Sequence, residues 1–193
     1  AVVGDVMLDE YIIGDSDRIS PEAPEPIIAE RERRSVPGGA ANVAGNVAAL
    51  GARARLFSVI GDDTDGAALR RALSERGVND SGLLASGDRP TTRKTRLIAR
   101  GNQVLRVDHE TTAQISPEME ARLAETILAA SAEIIIVSDY AKGVVTSGLV
   151  ERLVRSGRRV IVDPKSADFG KYSGAFLVTP NLHELLLAAG RKD

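Results

Sequence analysis

The sequence predicts an α/β fold, an open and mostly parallel sheet with helices on both faces. Three observations predict it. Segments of strand character alternate with segments of helical periodicity through the second half of the chain, which implies βαβ units with right-handed crossovers. The strand segments around Ile134 to Val137 and Val160 to Val162 are near-continuous apolar runs, as expected of strands covered on both faces. Polar residues follow the strands directly: Asp5 and Asp9, Gly61-Asp62-Asp63, Ser138-Asp139, Asp163-Pro164-Lys165 and Thr179-Pro180-Asn181. In sheets of this kind ligands bind beyond the carboxyl ends of the strands, so one edge should carry a dense acidic and amide surface with one lysine.

Each element has its own signal. Residues 1–4 read as a short strand. Residues 39–50 read as a helix, with Val43, Val47 and Leu50 on one face and Gly51 at its end. A strand is expected at 56–60 and a helix at 65–76, stopped by Gly77. Ser116 and Pro117 are a cap and a first-turn proline for a helix over 117–130. Strands at 134–138, 159–163 and 176–179 then alternate with helices at 146–156, closed by Gly157, and 181–189, closed by Gly190. Two stretches differ. Residues 27–34 and 92–107 mix β-branched and charged side chains, and Gly101-Asn102 reads as a hairpin turn. Such polar strands suit a small sheet outside the main body, a lid formed by about 11–36 and 92–108.

The bulk properties bound the function. The 193 residues are 43% hydrophobic and 27% charged, which is enough for one domain with a real core. A net charge of −2 gives no electrostatic reason to expect nucleic acid or a membrane surface as partner. There is no cysteine, so disulfides and thiolate metal sites are excluded. No apolar run approaches the length that spans a bilayer, and the start has no basic segment followed by an apolar one. We expect a cytoplasmic protein. The chain opens inside a strand without Met and closes on Arg191-Lys192-Asp193, so residues missing at both ends are expected.

Several residues suit a hydroxyl-rich, phosphorylated ligand. Gly38-Gly39-Ala40-Ala41-Asn42 opens a helix: two glycines admit a ligand to the backbone, and Asn42 can donate and accept. A plain loop-to-helix turn explains the same pattern. Asp9 is a carboxylate that can accept two hydroxyl hydrogen bonds at once, or a solvated loop residue; Asp5 could brace the loop. Asn181 and Glu184 share a face at a helix start, which an N-cap with an acidic first turn also explains. His183 otherwise reads as a surface residue. Lys94, Arg96 and Arg106 form a basic cluster on the lid hairpin, suited to a substrate phosphate, or to a solvated face.

Together these segments resemble the ribokinase-like (PfkB) sugar kinases. Val3-Gly4-Asp5-Val6-Met7-Leu8-Asp9 is similar to the family's first strand and sugar-binding aspartate. Gly38 to Ala44, ending at Leu50-Gly51, resembles its first signature. Gly61-Asp62-Asp63 with Gly66, and Asn181-Leu182-His183-Glu184, match its G-D-D-x-x-G and N-x-x-E segments. Narrower likenesses point within the family to the kinases of D-glycero-β-D-manno-heptose 7-phosphate. They are Arg18-Ile19-Ser20-Pro21-Glu22-Ala23-Pro24, Pro37 to Ala44, Ser138-Asp139-Tyr140-Ala141-Lys142-Gly143, Asp163-Pro164-Lys165 and Thr179-Pro180-Asn181-Leu182.

The resemblance covers the chain in order, as one partial kinase domain over 1–193, and implies a three-layer Rossmann-type sheet with a small β lid. It implies an ATP-dependent transfer to the anomeric hydroxyl, a step towards ADP-heptose and lipopolysaccharide. Asp9, Gly38, Gly39, Asn42, Lys94, Arg96, Arg106 and Asp139 would serve the sugar phosphate. Asn181, Leu182, His183, Glu184 and Lys165 would serve ATP, with Glu184 and Asp163 near Mg²⁺, mostly through water. It further implies a homodimer through the lid strands and a possible fused adenylyltransferase. A kinase for ribose, fructose or a nucleoside, and a sugar-phosphate-binding fragment without catalysis, stay open. The family's Gly-Ala-Gly-Asp loop, which carries the catalytic base, is absent from these residues. Catalysis is therefore expected to need a further C-terminal part.

Overall fold

The computed structural model describes residues 1–191. Ten strands and five α-helices are assigned among them. The body is a six-stranded parallel sheet in the order β10-β9-β8-β1-β4-β5. Its strands are β1 (Val2–Gly4), β4 (Arg55–Gly61), β5 (Asn79–Ser86), β8 (Ile134–Ser138), β9 (Arg159–Asp163) and β10 (Leu177–Val178). Neighbouring side chains on each strand point to opposite faces. Val2 and Leu56 enter a core with Ala40, Ala41 and Ala44 of α1 (Ala40–Ala49) and Leu69 and Leu73 of α2 (Thr64–Glu75). Val3 and Phe57 face the other way, onto Leu123 and Ile127 of α3 (Pro117–Ala129) and Leu149 and Leu153 of α4 (Ser147–Arg155). The result is the expected three-layer arrangement.

The helix starts follow from side chains in the sequence. Asp63, Ser116 and Thr146 accept the amides of Gly66, Met119 and Leu149 at the starts of α2, α3 and α4. α5 (Leu182–Ala188) begins with a reciprocal capping box: the Glu184 amide donates to Asn181, and the Asn181 amide donates to Glu184.

The second sheet is the lid, with strand order β3-β2-β6-β7. β2 (Val6–Ile19) and β3 (Pro26–Gly39) form a long antiparallel ribbon; β6 (Arg93–Ala99) runs parallel to β2, and β7 (Asn102–His109) antiparallel to β6. The lid is longer than the sequence pattern indicated. Its ribbon starts at Val6 and returns at Gly39, because the apolar roots Val6 and Leu8 are buried in the body core, and only the outer parts look polar. The hairpin turn lies at Arg100-Gly101, one residue before the expected Gly101-Asn102; both residues take positive φ (50° and 78°), as a two-residue turn between twisted strands requires. β5 carried no clear pattern because Asn79, Asp80, Ser81 and Gly82 make an edge strand with few apolar positions.

Candidate active site

Gly38 and Gly39 close the lid ribbon directly onto α1. Gly39 has φ of 60°, and the Ala40 amide donates to the Asp5 carbonyl at 2.9 Å. A Cβ on Gly39 would overlap that carbonyl, so only glycine fits there, and one on Gly38 would push the Asp9 carboxylate aside. Asp9 is thereby held against the glycine turn. Its Oδ1 accepts from Arg96 Nη1 at 2.6 Å. Partial burial works against the Arg96 charge, and the Asp9 carboxylate more than offsets it, so the guanidinium pKa is raised. Asn42 lies exposed in the first turn of α1.

Lys94 is the neighbour of Asp9 across the lid, and donates to Asp108 at 3.1 Å and Glu110 at 3.2 Å. Arg106 stands opposite Arg96 in the β6–β7 pairing, half exposed, with Nε 2.9 Å from Asp108. The three basic residues named from the sequence therefore share one lid face with Asp9, and each has a carboxylate partner.

A second group gathers past β9 and at the start of α5. Lys165 Nζ lies 3.4 Å from Glu184 Oε1, while Glu184 Oε2 accepts the Asn181 amide at 3.0 Å. Leu182 and His183 are exposed on the same turn. Burial raises the Asp163 carboxyl above the usual carboxylate range, and the nearby Glu184 charge adds to this while Lys165 opposes it. Among the described residues no group of three or more His, Asp or Glu side chains forms a metal cage. Asp163 and Glu184 still fit Mg²⁺ as an oxygen-only pair with repelling charges, reaching an ion through its water shell. Glu184 is too committed to its cap to contribute more.

Burial raises the Tyr140 phenol pKa, and the charges of Asp163, Asp9 and Glu184 add to this. The loop carrying Tyr140 is held by Asp5. That carboxylate is buried and accepts the amides of Tyr140 (2.8 Å), Lys142 (3.1 Å) and Val144 (3.0 Å). Burial pushes the Asp5 carboxyl up despite these three bonds. The bracing role considered for Asp5 is what the geometry gives it.

Asp139 requires a correction. It is buried: Oδ2 accepts from Lys171 at 2.5 Å and Tyr172 at 2.8 Å, and Oδ1 from the Ala141 amide at 2.7 Å. Both oxygens are consumed inside the chain, so Asp139 braces the loop under the site and does not present itself to a sugar. A separate cleft of about 300 Å³ lies between Asp62-Asp63 and the segment from Ser86 to Pro90, and none of the candidate residues lines it.

Three residues escaped the sequence reading: Tyr140, Tyr11 and Arg34. Tyr140 lies two residues past the carboxyl end of β8, and Tyr11 lies two residues beyond Asp9, hence on its face; both were findable by position. Arg34 meets Tyr11 only through the ribbon register.

A parallel sheet covered on both faces, with polar residues beyond the carboxyl ends of its strands and a second β sheet beside it, is an architecture that binds small molecules. Residues 1–193 match the pfkB family of carbohydrate kinases, and the chain belongs to that family. Among its curated relatives is the bifunctional protein HldE of Citrifermentans bemidjiense, 46% identical over 98% of this chain. HldE of Nitrobacter winogradskyi is 47% identical over 98%. The chain spans only about 40% of the length of these relatives, 40% and 41% respectively. Among solved structures, the tetrameric inhibited form of phosphofructokinase-2 from Escherichia coli superposes with a TM-score of 0.76 at 22% identity, over 99% of this chain and 64% of that one. Arabidopsis thaliana ribokinase complexed with ribose and ATP gives 0.70 at 18%, over 98% and 62%. At these identities the structural likeness carries the fold alone.

Proposed function

We infer that the protein containing this chain phosphorylates D-glycero-β-D-manno-heptose 7-phosphate at its anomeric hydroxyl, with ATP as donor, on the route to ADP-heptose and lipopolysaccharide. The observation that carries this reading is the Asp9–Arg96 pair set against the Gly38-Gly39 turn, in a chain that matches the pfkB family over residues 1–193 and has relatives named HldE at 46% and 47% identity. Asp9 accepts sugar hydroxyls beside the Gly38-Gly39 turn, and Asn42 adds a donor and an acceptor. Lys94, Arg96 and Arg106 supply positive charge towards the sugar's own phosphate. The turn Asn181-Leu182-His183-Glu184, with Lys165, receives the nucleotide. Mg²⁺, when bound, neutralises charge on the transferred phosphate, and Asp163 and Glu184 orient its water shell.

Positioning and electrostatics supply most of the rate in phosphoryl transfer. The residues above do that positioning. The base that takes the hydroxyl proton belongs, by resemblance, to a Gly-Ala-Gly-Asp loop that these 193 residues do not contain. We therefore expect the 193-residue chain alone to bind the sugar phosphate without turnover. The full-length protein would act in the cytoplasm, as a homodimer through its lid strands and fused to an adenylyltransferase.

The test is ADP release by the full-length protein with heptose 7-phosphate, ribose, fructose, fructose 6-phosphate and adenosine. Preference for the heptose phosphate is expected. Preference for any other acceptor by tenfold or more in kcat/KM overturns the substrate. Turnover by the 193-residue chain alone overturns its expected inactivity.

A further inference from the structure

The lid face that holds Asp9 carries one more cation, and it lacks a carboxylate. β2 pairs Tyr11 with Arg34 on β3 and with Arg96 on β6, so all three side chains stand on the same face. The Arg34 guanidinium lies 5.0 Å from the centre of the Tyr11 ring, and that of Arg96 lies 5.3 Å from it. Arg106 follows Arg96 across the next pairing. Asp9 neutralises part of Arg96, and Asp108 serves Arg106 and Lys94. Glu32 stands one pair further out on the same face, opposite Ile13. Among the described residues no ion pair engages Arg34.

Two guanidiniums fixed against one aromatic ring are an unusual expenditure of like charge unless an anion completes it. Stacking on Tyr11 removes part of the rotamer freedom that a free arginine would lose on binding, and leaves the planar forks free to grip phosphate oxygens. Arg96 retains further N–H donors after its bond to Asp9. It therefore joins the hydroxyl-binding carboxylate to the proposed anion position.

We propose that Arg34 and Arg96, held by the Tyr11 ring between them, form a clamp for the phosphomonoester at the far end of the sugar and so set the preference for an already phosphorylated substrate. This rests on the reading of the protein as a sugar-phosphate kinase. Spacing fits the assignment. Tyr11 lies two residues beyond Asp9, about 7 Å along the strand. That separation suits a ligand whose ring hydroxyls meet Asp9 and whose exocyclic arm reaches towards the lid tip. Arg34 is the specificity-determining member, since it has no other ionic partner among the described residues.

The experiment compares Arg34→Ala, Arg34→Lys and Tyr11→Leu with wild type in the full-length protein, using heptose 7-phosphate and the same heptose without its phosphate. Arg34→Ala is expected to raise KM for the phosphorylated sugar by about 10- to 100-fold. It should leave kcat within about threefold and KM for the unphosphorylated heptose unchanged. Arg34→Lys should recover part of the loss, and Tyr11→Leu should weaken both guanidiniums' hold on the same substrate. Unchanged KM in Arg34→Ala overturns the clamp while leaving the kinase reading intact. Equal losses on both sugars assign Arg34 a structural role and also overturn it. A wild type that turns over only unphosphorylated sugars removes the reading and the clamp together.

Discussion

Asp5 directly follows β1 with its carboxylate buried, and its two oxygens collect the amides of Tyr140, Lys142 and Val144. Asp5→Ala would leave the buried Val144 amide, and the part-buried amides of Tyr140 and Lys142, without their acceptor. At about 1–3 kcal/mol for a buried unsatisfied group, we expect a loss of about 1–3 kcal/mol, read by urea denaturation, with Asp5→Asn less severe. Asp63 is the opposite electrostatic case. Partial burial opposes its ionisation, but the amides of Thr91 and Gly66 outweigh it and lower its pKa. A carboxyl lowered in the folded state contributes stability above its unfolded value of about 3.9, and that contribution disappears as pH falls through the folded value. Asp63→Ala should therefore cost about 1–2 kcal/mol at pH 7. The gap to wild type should close on acidification below about pH 4. Urea titrations at pH 7 and pH 3 measure both.

At the scale of elements, α5 shows how a helix cap and a binding turn share residues. The seven-residue helix depends on Asn181 and Glu184 for its start, and the same Glu184 faces Lys165 and Asp163. Glu184→Gln keeps an oxygen for the Asn181 amide and removes the charge. Stability should change by less than about 1 kcal/mol. The Mg²⁺ concentration needed for half-maximal activity of the full-length enzyme should rise several-fold. A large fall in melting temperature with unchanged Mg²⁺ dependence would assign Glu184 to the cap alone. The lid ribbon is an element of another kind. Its roots Val6, Met7 and Leu8 are buried, whereas every residue of β7 is exposed.

Across the whole molecule, stability is unevenly spread. The two cores lie on opposite faces of the body sheet and bury β1, β4 and β8 between helices. The outer lid has no comparable apolar layer; ion pairs such as Arg33 with Glu10 and Glu30 decorate it, and exposed pairs contribute little. Native-state hydrogen exchange should follow this division. Amides of β1, β4 and β8 should exchange only by global opening, while those of β7 and of the ribbon beyond Ile13 should exchange faster by orders of magnitude. Uniform protection across both sheets would contradict this account.

The sequence by itself determined the alternation of strands and helices, the caps at Ser116 and Asn181, and the glycine turn at Gly38-Gly39. Those features arise from local pattern, from which side chains can accept a nearby amide, and from where the backbone needs positive φ. It also pointed to the polar residues beyond the carboxyl ends of the parallel strands and to the basic residues of the polar hairpin. Only the tertiary structure decided which of them are buried and which stay exposed. Asp139 and Asp5 look alike as polar residues after strands, yet each is buried and spent on a loop, which depends on what packs above it. Arg34 is one of several arginines on a charged strand, and only the register of β2 with β3 places it over Tyr11. Contacts between residues distant in sequence are set by pairing and packing, which no local pattern encodes.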